Sequence, residues 1–228
     1  MSAGGRSVYW FTRGCIWLLS KLLFRMKVEG SANVPRSGGV LICSNHVSHL
    51  DPPLVGTACP RMVFHMAKRE LFKVPALHWY MGRIGTIMVH RGQGRQAIND
   101  AIDYLRKGRA VIIFPEGTRS KTGVLMQGHS GAIVIAISAD APLLPAVIIG
   151  SEKAMTKGSK AIKSVPVTVR FGEPYKIAYE GDRTHIPAEV KERELRLLME
   201  RIEALLPEYM RSSAEDKAEW YGANKVGG

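Results

Sequence analysis

His46 and Asp51, five residues apart, are the side chains in this sequence best suited to acid–base chemistry. A neutral imidazole, with an ordinary pKa near 6.5, can remove a proton at cellular pH, and a carboxylate can orient the ring. In an extended strand the two residues would lie about 16 Å apart, and on a helix about 140° apart around the axis. The chain must therefore turn between them if the side chains are to touch.

The flanking sequence predicts that turn. The apolar stretch 40–43 precedes His46 and has the length of a buried strand. Two prolines follow Asp51, and proline is tolerated in the first turn of a helix, so Asp51 is predicted to be the N-cap of a helix that begins near residue 52. Two other interpretations fit these residues alone. One is a plain helix cap beside loop histidines; the other is a metal site built from His46, His49 and Asp51.

Three further segments follow the His–Asp segment 45–51 in a fixed order. Residues 85–91 read Gly-Thr-Ile-Met-Val-His-Arg, residues 114–120 read Phe-Pro-Glu-Gly-Thr-Arg-Ser, and residues 144–149 read Leu-Pro-Ala-Val-Ile-Ile. Together the four segments resemble the motifs of the glycerolipid acyltransferase family, and within it the 1-acylglycerol-3-phosphate acyltransferases. The resemblance extends over residues 39–150, about half of the chain.

The resemblance implies a reaction. A fatty acyl group would pass from an acyl thioester to the free hydroxyl of 1-acylglycerol 3-phosphate (lysophosphatidate), yielding phosphatidate without a metal or other cofactor. His46 would be the general base and Asp51 its orienting partner. Because the substrate hydroxyl takes the place of a catalytic serine, no acyl-enzyme is required. The donor would be acyl-coenzyme A or acyl carrier protein. Acylation of glycerol 3-phosphate or another lysolipid, and non-catalytic binding of anionic lipid, are the alternatives.

A phosphorylated acceptor carries a charge of about −1.5 to −2, which cations or backbone amides of the protein must stabilise. Arginines at the ends of the second and third motifs are the natural candidates, although each of them alone could equally be a surface charge. By resemblance, the second-motif arginine and the Glu-Gly-Thr-Arg core of the third motif bind the glycerol phosphate. These residues are Arg91, Glu116, Gly117, Thr118 and Arg119. Lys68 resembles a further family position near the phosphate.

Alternating strand and helix patterns predict an α/β fold, a single domain with a mixed, largely parallel central sheet flanked by helices. A chain of 228 residues with 46% hydrophobic residues can build one such core. We assign the domain to residues 28–210, after an N-terminal segment 1–27 and before a tail 211–228 that we expect to be loosely ordered. Strands are predicted at 61–66, 110–114, 143–149 and 165–171, and helices at 93–107, 131–139 and 188–206.

The N-terminal stretch 8–24 combines aromatic and leucine residues with Arg13 and Lys21. It is too short and too charged to span a bilayer comfortably, and no small-residue cleavage site follows its apolar part. Tryptophan and tyrosine prefer the headgroup region, so the pattern predicts a helix that lies on the membrane surface. An amphipathic helix buried in the domain is the alternative.

The formal net charge of +12 calls for an acidic partner. The resemblance favours a phosphorylated substrate and an anionic membrane surface at the cytoplasmic face. A nucleic acid is disfavoured, because the basic residues lack interleaved aromatics or a recognisable reading motif. Cys15, Cys43 and Cys59 are widely spaced in apolar surroundings and are predicted to be buried thiols in a reducing compartment.

Overall fold

A seven-stranded sheet forms the centre of the computed structural model, which describes residues 3–68, 81–82, 86–89, 94–155 and 161–221. The strands within these ranges are β1 (Lys27–Glu29), β2 (Val40–Ser44), β3 (Val63–Lys68), β4 (Ile87–Val89), β5 (Ala110–Ile113), β6 (Leu143–Ile149) and β7 (Thr168–Phe171). Their order across the sheet is β1-β7-β6-β2-β5-β3-β4.

Five neighbouring strands, β6, β2, β5, β3 and β4, run parallel to one another. β7 is antiparallel to β6, and β1 is parallel to β7. The predicted mixed, largely parallel sheet is therefore confirmed. Every residue of β2 is buried, as expected for a central strand covered on both faces. Because parallel strands end at the same edge, the segments after β2, β5 and β6 emerge side by side.

Helices cover both faces of the sheet. They are α1 (Ala3–Phe24), α2 (Asp51–Ala58), α3 (Gly94–Arg106), α4 (Gly131–Ala139), α5 (Ser151–Ala154), α6 (Ala188–Leu205) and α7 (Ala214–Tyr221). One core lies between the sheet and α3, α4 and α6, and a second lies under α2 and the end of α1. The helices predicted from periodicity at 93–107, 131–139 and 188–206 are confirmed to within one residue at each end.

One face of α1 packs on the domain. Tyr9 and Phe24 are buried, the Val63 N–H donates to the Tyr9 hydroxyl (3.1 Å), and Arg13 Nη2 donates to the Cys59 carbonyl (2.8 Å). The large apolar side chains on the rest of the helix are exposed: Trp10, Phe11, Trp17, Leu18, Leu19, Leu22 and Leu23. None of the helices in the described ranges is both long and apolar enough to cross a bilayer.

Two expectations are corrected by the fold. In place of a loosely ordered tail after residue 211, residues 214–221 form α7, while residues 222–228 lie outside the described ranges. The reason is a capping box: the Asp216 N–H donates to Ser213 Oγ (3.0 Å) and the Ser213 N–H donates to Asp216 Oδ2 (3.1 Å). Cys15 is exposed on α1 instead of buried, whereas the other two cysteines are buried as predicted.

Candidate functional site

Three adjacent parallel strands deliver the candidate site to one edge of the sheet. β2 leads into Asn45 and His46, β5 leads into the segment 114–120, and β6 leads through Gly150 into Ser151. Asn45 ties two of these ends together, since its side chain accepts the Ile148 N–H (2.8 Å) and donates to the Ile148 carbonyl (3.1 Å). Crevices outside the carboxyl ends of such strands are where ligands bind in open α/β sheets.

His46 and Asp51 form a hydrogen-bonded pair, with 2.8 Å between Nδ1 and Oδ2. The chain turns between them, as the sequence predicts. Asp51 is not the N-cap, however: it is the first residue of α2, and the cap position is Leu50. Its carboxylate turns back toward the preceding loop, where Oδ2 also accepts the N–H groups of Val47 and Ser48 at 2.7 Å each. The motif therefore folds around the carboxylate.

The geometry sets the tautomer of His46. A carboxylate only accepts hydrogen bonds, so Nδ1 carries the proton and Nε2 keeps its lone pair. The Asp51 side chain is fully buried, while that of His46 is 17% exposed. The Phe114 ring stacks on the imidazole, with centroids 4.2 Å apart and an interplanar angle of 24°. The site thus holds one partly accessible basic nitrogen on a ring whose orientation is restrained from two sides.

Glu116 is only 2% exposed and contacts the backbone of His46. Its Oε1 accepts the His46 N–H (2.6 Å) and its Oε2 accepts the Met126 N–H (3.0 Å). Burial raises the pKa of Glu116 to about 8, although the two backbone donors act in the opposite direction. A second link runs from the Ser120 N–H to the His46 carbonyl (2.8 Å). The loop after β5 is therefore fastened to the His46 backbone, and this carboxyl group contacts main-chain amides.

The rest of the third motif is more accessible. Gly117 and Thr118 are exposed and Arg119 is half-buried. Gly117 has a φ of 66°, and a Cβ at this position would lie 3.1 Å from Cδ2 of His129, so the turn favours glycine. Partial burial first, and then the positive charge of Arg119, lower the pKa of His49. His49 itself is exposed.

Two predicted phosphate contacts fall at the limits of the described residues. Lys68 is the last residue of β3, at the same edge of the sheet as the His–Asp pair, and its side chain lies outside the described part of the structure. Arg91 follows β4 by two residues and lies outside the residues that the structure describes. Within the described ranges, no cluster of three histidine, cysteine or acidic side chains has the arrangement of metal ligands.

Ser151 is the residue that sequence reasoning missed. Its hydroxyl donates to Oδ1 of Asp51 at 2.6 Å, and both side chains are fully buried. The available signal was its position two residues after the fourth motif, where Gly150 follows the end of β6. Since that motif follows a strand adjacent to β2, the first polar residue after it lies beside the first motif.

Comparisons with known proteins agree with this geometry. The family model described as Acyltransferase matches residues 25–149. A 1-acyl-sn-glycerol-3-phosphate acyltransferase of Bacillus subtilis is 30% identical over 183 residues, which is 79% of this chain and 87% of that protein. A coconut (Cocos nucifera) enzyme of the same name is 31% identical over 72% of this chain, and the match spans 53% of its own length.

A solved structure is also similar. The crystal structure of the 1-acyl-sn-glycerophosphate acyltransferase PlsC of Thermotoga maritima matches with a TM-score of 0.66 and 27% identity, covering 86% of this chain and 78% of that one. Several plant and bacterial relatives are longer than this chain. The matches span 53% of the coconut protein and 60% of a Borreliella burgdorferi protein.

Proposed function

Because the chain belongs to the acyltransferase family, we propose that it transfers a fatty acyl group from an acyl thioester to the free hydroxyl of 1-acylglycerol 3-phosphate, forming phosphatidate. The observation that supports this most directly is the His46–Asp51 pair, held at 2.8 Å at the carboxyl edge of the sheet. The named activities of the B. subtilis relative and of the T. maritima structure support the choice of acceptor.

In the proposed mechanism, Nε2 of His46 takes the proton of the acceptor hydroxyl as its oxygen attacks the thioester carbonyl. The new C–O bond produces a tetrahedral intermediate, and Asp51 stabilises the imidazolium that forms beside it. Collapse of the intermediate breaks the C–S bond, and the imidazolium returns its proton to the departing thiolate. The ring ends neutral, ready for another cycle, and the acyl group passes directly between the two substrates.

The acceptor phosphate would bind beside this pair. Arg119, half-buried at the end of the third motif, and the exposed backbone of Gly117 and Thr118 lie on the loop that is fastened to His46. Arg91 and Lys68 would add two cations from the neighbouring strands. Three cations and the backbone amides of this loop would stabilise a dianionic phosphate and hold the hydroxyl at a set distance from Nε2.

For Glu116 we propose a positioning role instead of direct contact with the acceptor. Its two oxygens accept amide protons from His46 and Met126, which lie on two different segments of the chain. Burial raises the pKa of Glu116 to about 8, which reduces the share of the charged form near neutral pH. This weakens the repulsion that a carboxylate at this position would impose on the phosphate.

The test is phosphatidate formation by the full chain in detergent or liposomes, with lysophosphatidate as acceptor and acyl-coenzyme A or acyl carrier protein as donor. His46→Ala should reduce turnover by at least about 10²–10⁴-fold, the usual contribution of a positioned base. His185→Ala, which removes an exposed histidine remote from the motifs, should leave turnover unchanged. Persistent turnover in His46→Ala would refute the proposed base. A folded wild type that acylates only glycerol 3-phosphate would refute the proposed acceptor.

We also propose that α1 lies on an anionic membrane surface. Its outward residues include Phe11 (75% exposed), Leu18 (59%) and Leu22 (67%), far more apolar surface than a helix in water usually presents. Lys21 lies 4.7 Å above the Trp17 ring, an arrangement that suits the headgroup region. The net charge of +12 adds attraction to anionic lipid.

Co-sedimentation with liposomes would test this surface. Leu18→Glu should reduce binding to vesicles of phosphatidylcholine and phosphatidylglycerol, because it places a charge within the apolar face. Leu197→Glu, at an exposed leucine of α6 (39% exposed), is the matched control and should bind as the wild type does. Equal binding of both variants would show that α1 does not mediate the association.

A further inference from the structure

The two oxygens of the Asp51 carboxylate have unequal surroundings. Oδ2 accepts three hydrogen bonds, from the His46 ring and from the N–H groups of Val47 and Ser48. Oδ1 accepts one within the described residues, from the Ser151 hydroxyl at 2.6 Å. Both Asp51 and Ser151 are 0% exposed, so bulk water does not reach this oxygen. Among the residues that the structure describes, Ser151 is the donor that satisfies Oδ1.

We propose that Ser151 is a positioning residue for the acyl transfer, acting through Asp51 without touching either substrate. The inference rests on the proposed function of the His46–Asp51 pair. A hydrogen bond from a hydroxyl to a carboxylate is short and strong, and it fixes the plane of the carboxylate. With Oδ1 held by Ser151, Oδ2 stays directed at Nδ1 of His46.

The fold places this hydroxyl with little freedom. β6 pairs with β2 in register, so the chain leaves β6 beside the loop that carries His46. Gly150 then turns the chain with a φ of +93°, where a Cβ would overlap the carbonyl oxygen of Pro166. Ser151 is the first residue of α5, and the N–H groups of Lys153 and Ala154 both donate to the Gly150 carbonyl at 3.1 Å. A one-residue shift would move the hydroxyl away from Asp51.

Loss of the hydroxyl leaves a buried carboxylate oxygen without a donor, which is an expensive arrangement. The pair then takes up a proton more readily, and the carboxylate can rotate away from Nδ1. Both effects lower the fraction of enzyme in which Nε2 is an oriented base. Neither effect changes the groups that bind the phosphate or the acyl chain.

The experiment compares turnover and pH dependence in Ser151→Ala, Ser151→Thr and a control. We expect Ser151→Ala to lower kcat about tenfold, the loss typical of one hydrogen bond to a charged group. KM for both substrates should stay within about twofold, and the acid limb of kcat/KM against pH should move to higher pH. Ser151→Thr keeps the hydroxyl and should recover most of kcat.

Ser44→Ala is the matched control. Ser44 is also a fully buried serine at the end of a central strand, but its hydroxyl donates to the Asn45 carbonyl (3.2 Å). It should keep the wild-type kcat and acid limb. A folded Ser151→Ala with wild-type kcat and acid limb would overturn the proposal, as would an equal loss in Ser44→Ala. If Ser151→Ala fails to fold, Ser151→Cys, a weaker donor of similar size, takes its place with the same expectations.

A second readout separates this inference from the proposed function. The Nδ1 proton of His46 should give an NMR resonance whose position depends on its hydrogen bond to Asp51, with or without turnover. Ser151→Ala should shift or broaden that resonance, and Ser151→Thr should restore it. An inactive wild type with this response would contradict the proposed reaction but support the positioning role. An unchanged resonance in Ser151→Ala would contradict the positioning role itself.

Discussion

Replacing Asp51 by asparagine separates the charge of the catalytic pair from its geometry. The asparagine oxygen can take the place of Oδ2 and accept from His46, Val47 and Ser48, while its NH₂ group faces Ser151, whose hydroxyl can also accept. We therefore expect the variant to fold with its hydrogen bonds in place. What it loses is the negative charge beside the imidazolium.

The size of that loss follows from the separation of 2.8 Å between Nδ1 and Oδ2. At an effective dielectric constant of about 20, two unit charges at this distance attract by about 6 kcal/mol before solvation is considered. Dipoles of the surrounding backbone recover part of this, which leaves roughly 3–5 kcal/mol in the transition state. We expect kcat/KM to fall by about 10²–10⁴-fold.

The assay measures phosphatidate formation against pH for wild type, Asp51→Asn and Asp103→Asn. Asp103→Asn is the same chemical change at an exposed ion pair on α3, so this variant should keep wild-type activity. A folded Asp51→Asn enzyme within about threefold of wild type would refute the electrostatic role of Asp51.

Three further predictions concern stability. Glu116, with a pKa of about 8 against an ordinary value of 4.5, keeps its proton in the folded state while the unfolded chain loses it, so the free energy of unfolding should fall as pH rises from about 4.5 to about 8. Urea unfolding at pH 5, 7 and 9 should show the free energy of unfolding falling by roughly 4 kcal/mol at most. Glu116→Gln should make this free energy nearly independent of pH. A wild type that is equally stable at pH 5 and pH 9 would contradict the prediction. Gly117→Ala should lower Tm, because the positive φ and the contact with His129 together cost about 1–2 kcal/mol of stability. Gly117→Asn should cost less, because asparagine tolerates this conformation. An unchanged Tm in the alanine variant would argue against a strained turn. Burial lowers the pKa of His65 to about 4, so the stability of the protein should fall as pH drops from about 6.5 to about 4. In thermal melts, His65→Leu should lose this dependence on pH. If Tm falls equally with pH in both proteins, His65 is not responsible.

The elements that position the site could be read from the sequence because their signals are local. The uninterrupted apolar runs of β5 and β6 and the helical spacing of Ile98, Ala101 and Leu105 reflect burial against the sheet. The parallel arrangement follows from the alternation of strands and helices. The order and spacing of four short motifs carried the family resemblance, which the comparisons confirm.

Local signals misled where a contact is made by a distant part of the chain. Asp51 has the residue type and position of an N-cap, yet its carboxylate satisfies the preceding loop and the hydroxyl of Ser151, 100 residues further along. The segment after Arg211 has few apolar residues, yet α7 forms there: Ser213 and Asp216 cap its first turn, and the ion pair between Lys217 and Glu203 (2.6 Å) joins it to α6.

The sequence by itself determined the fold class, the family and the types of side chain available for acid–base chemistry, since these depend on periodicity, composition and the spacing of short motifs. Only the tertiary structure decided which groups meet. It placed Glu116 on backbone amides, and it brought Ser151 to the second oxygen of Asp51. The physical reason is that strand order in the sheet, which the sequence does not state, makes β6, β2 and β5 neighbours and so joins their carboxyl ends into one site.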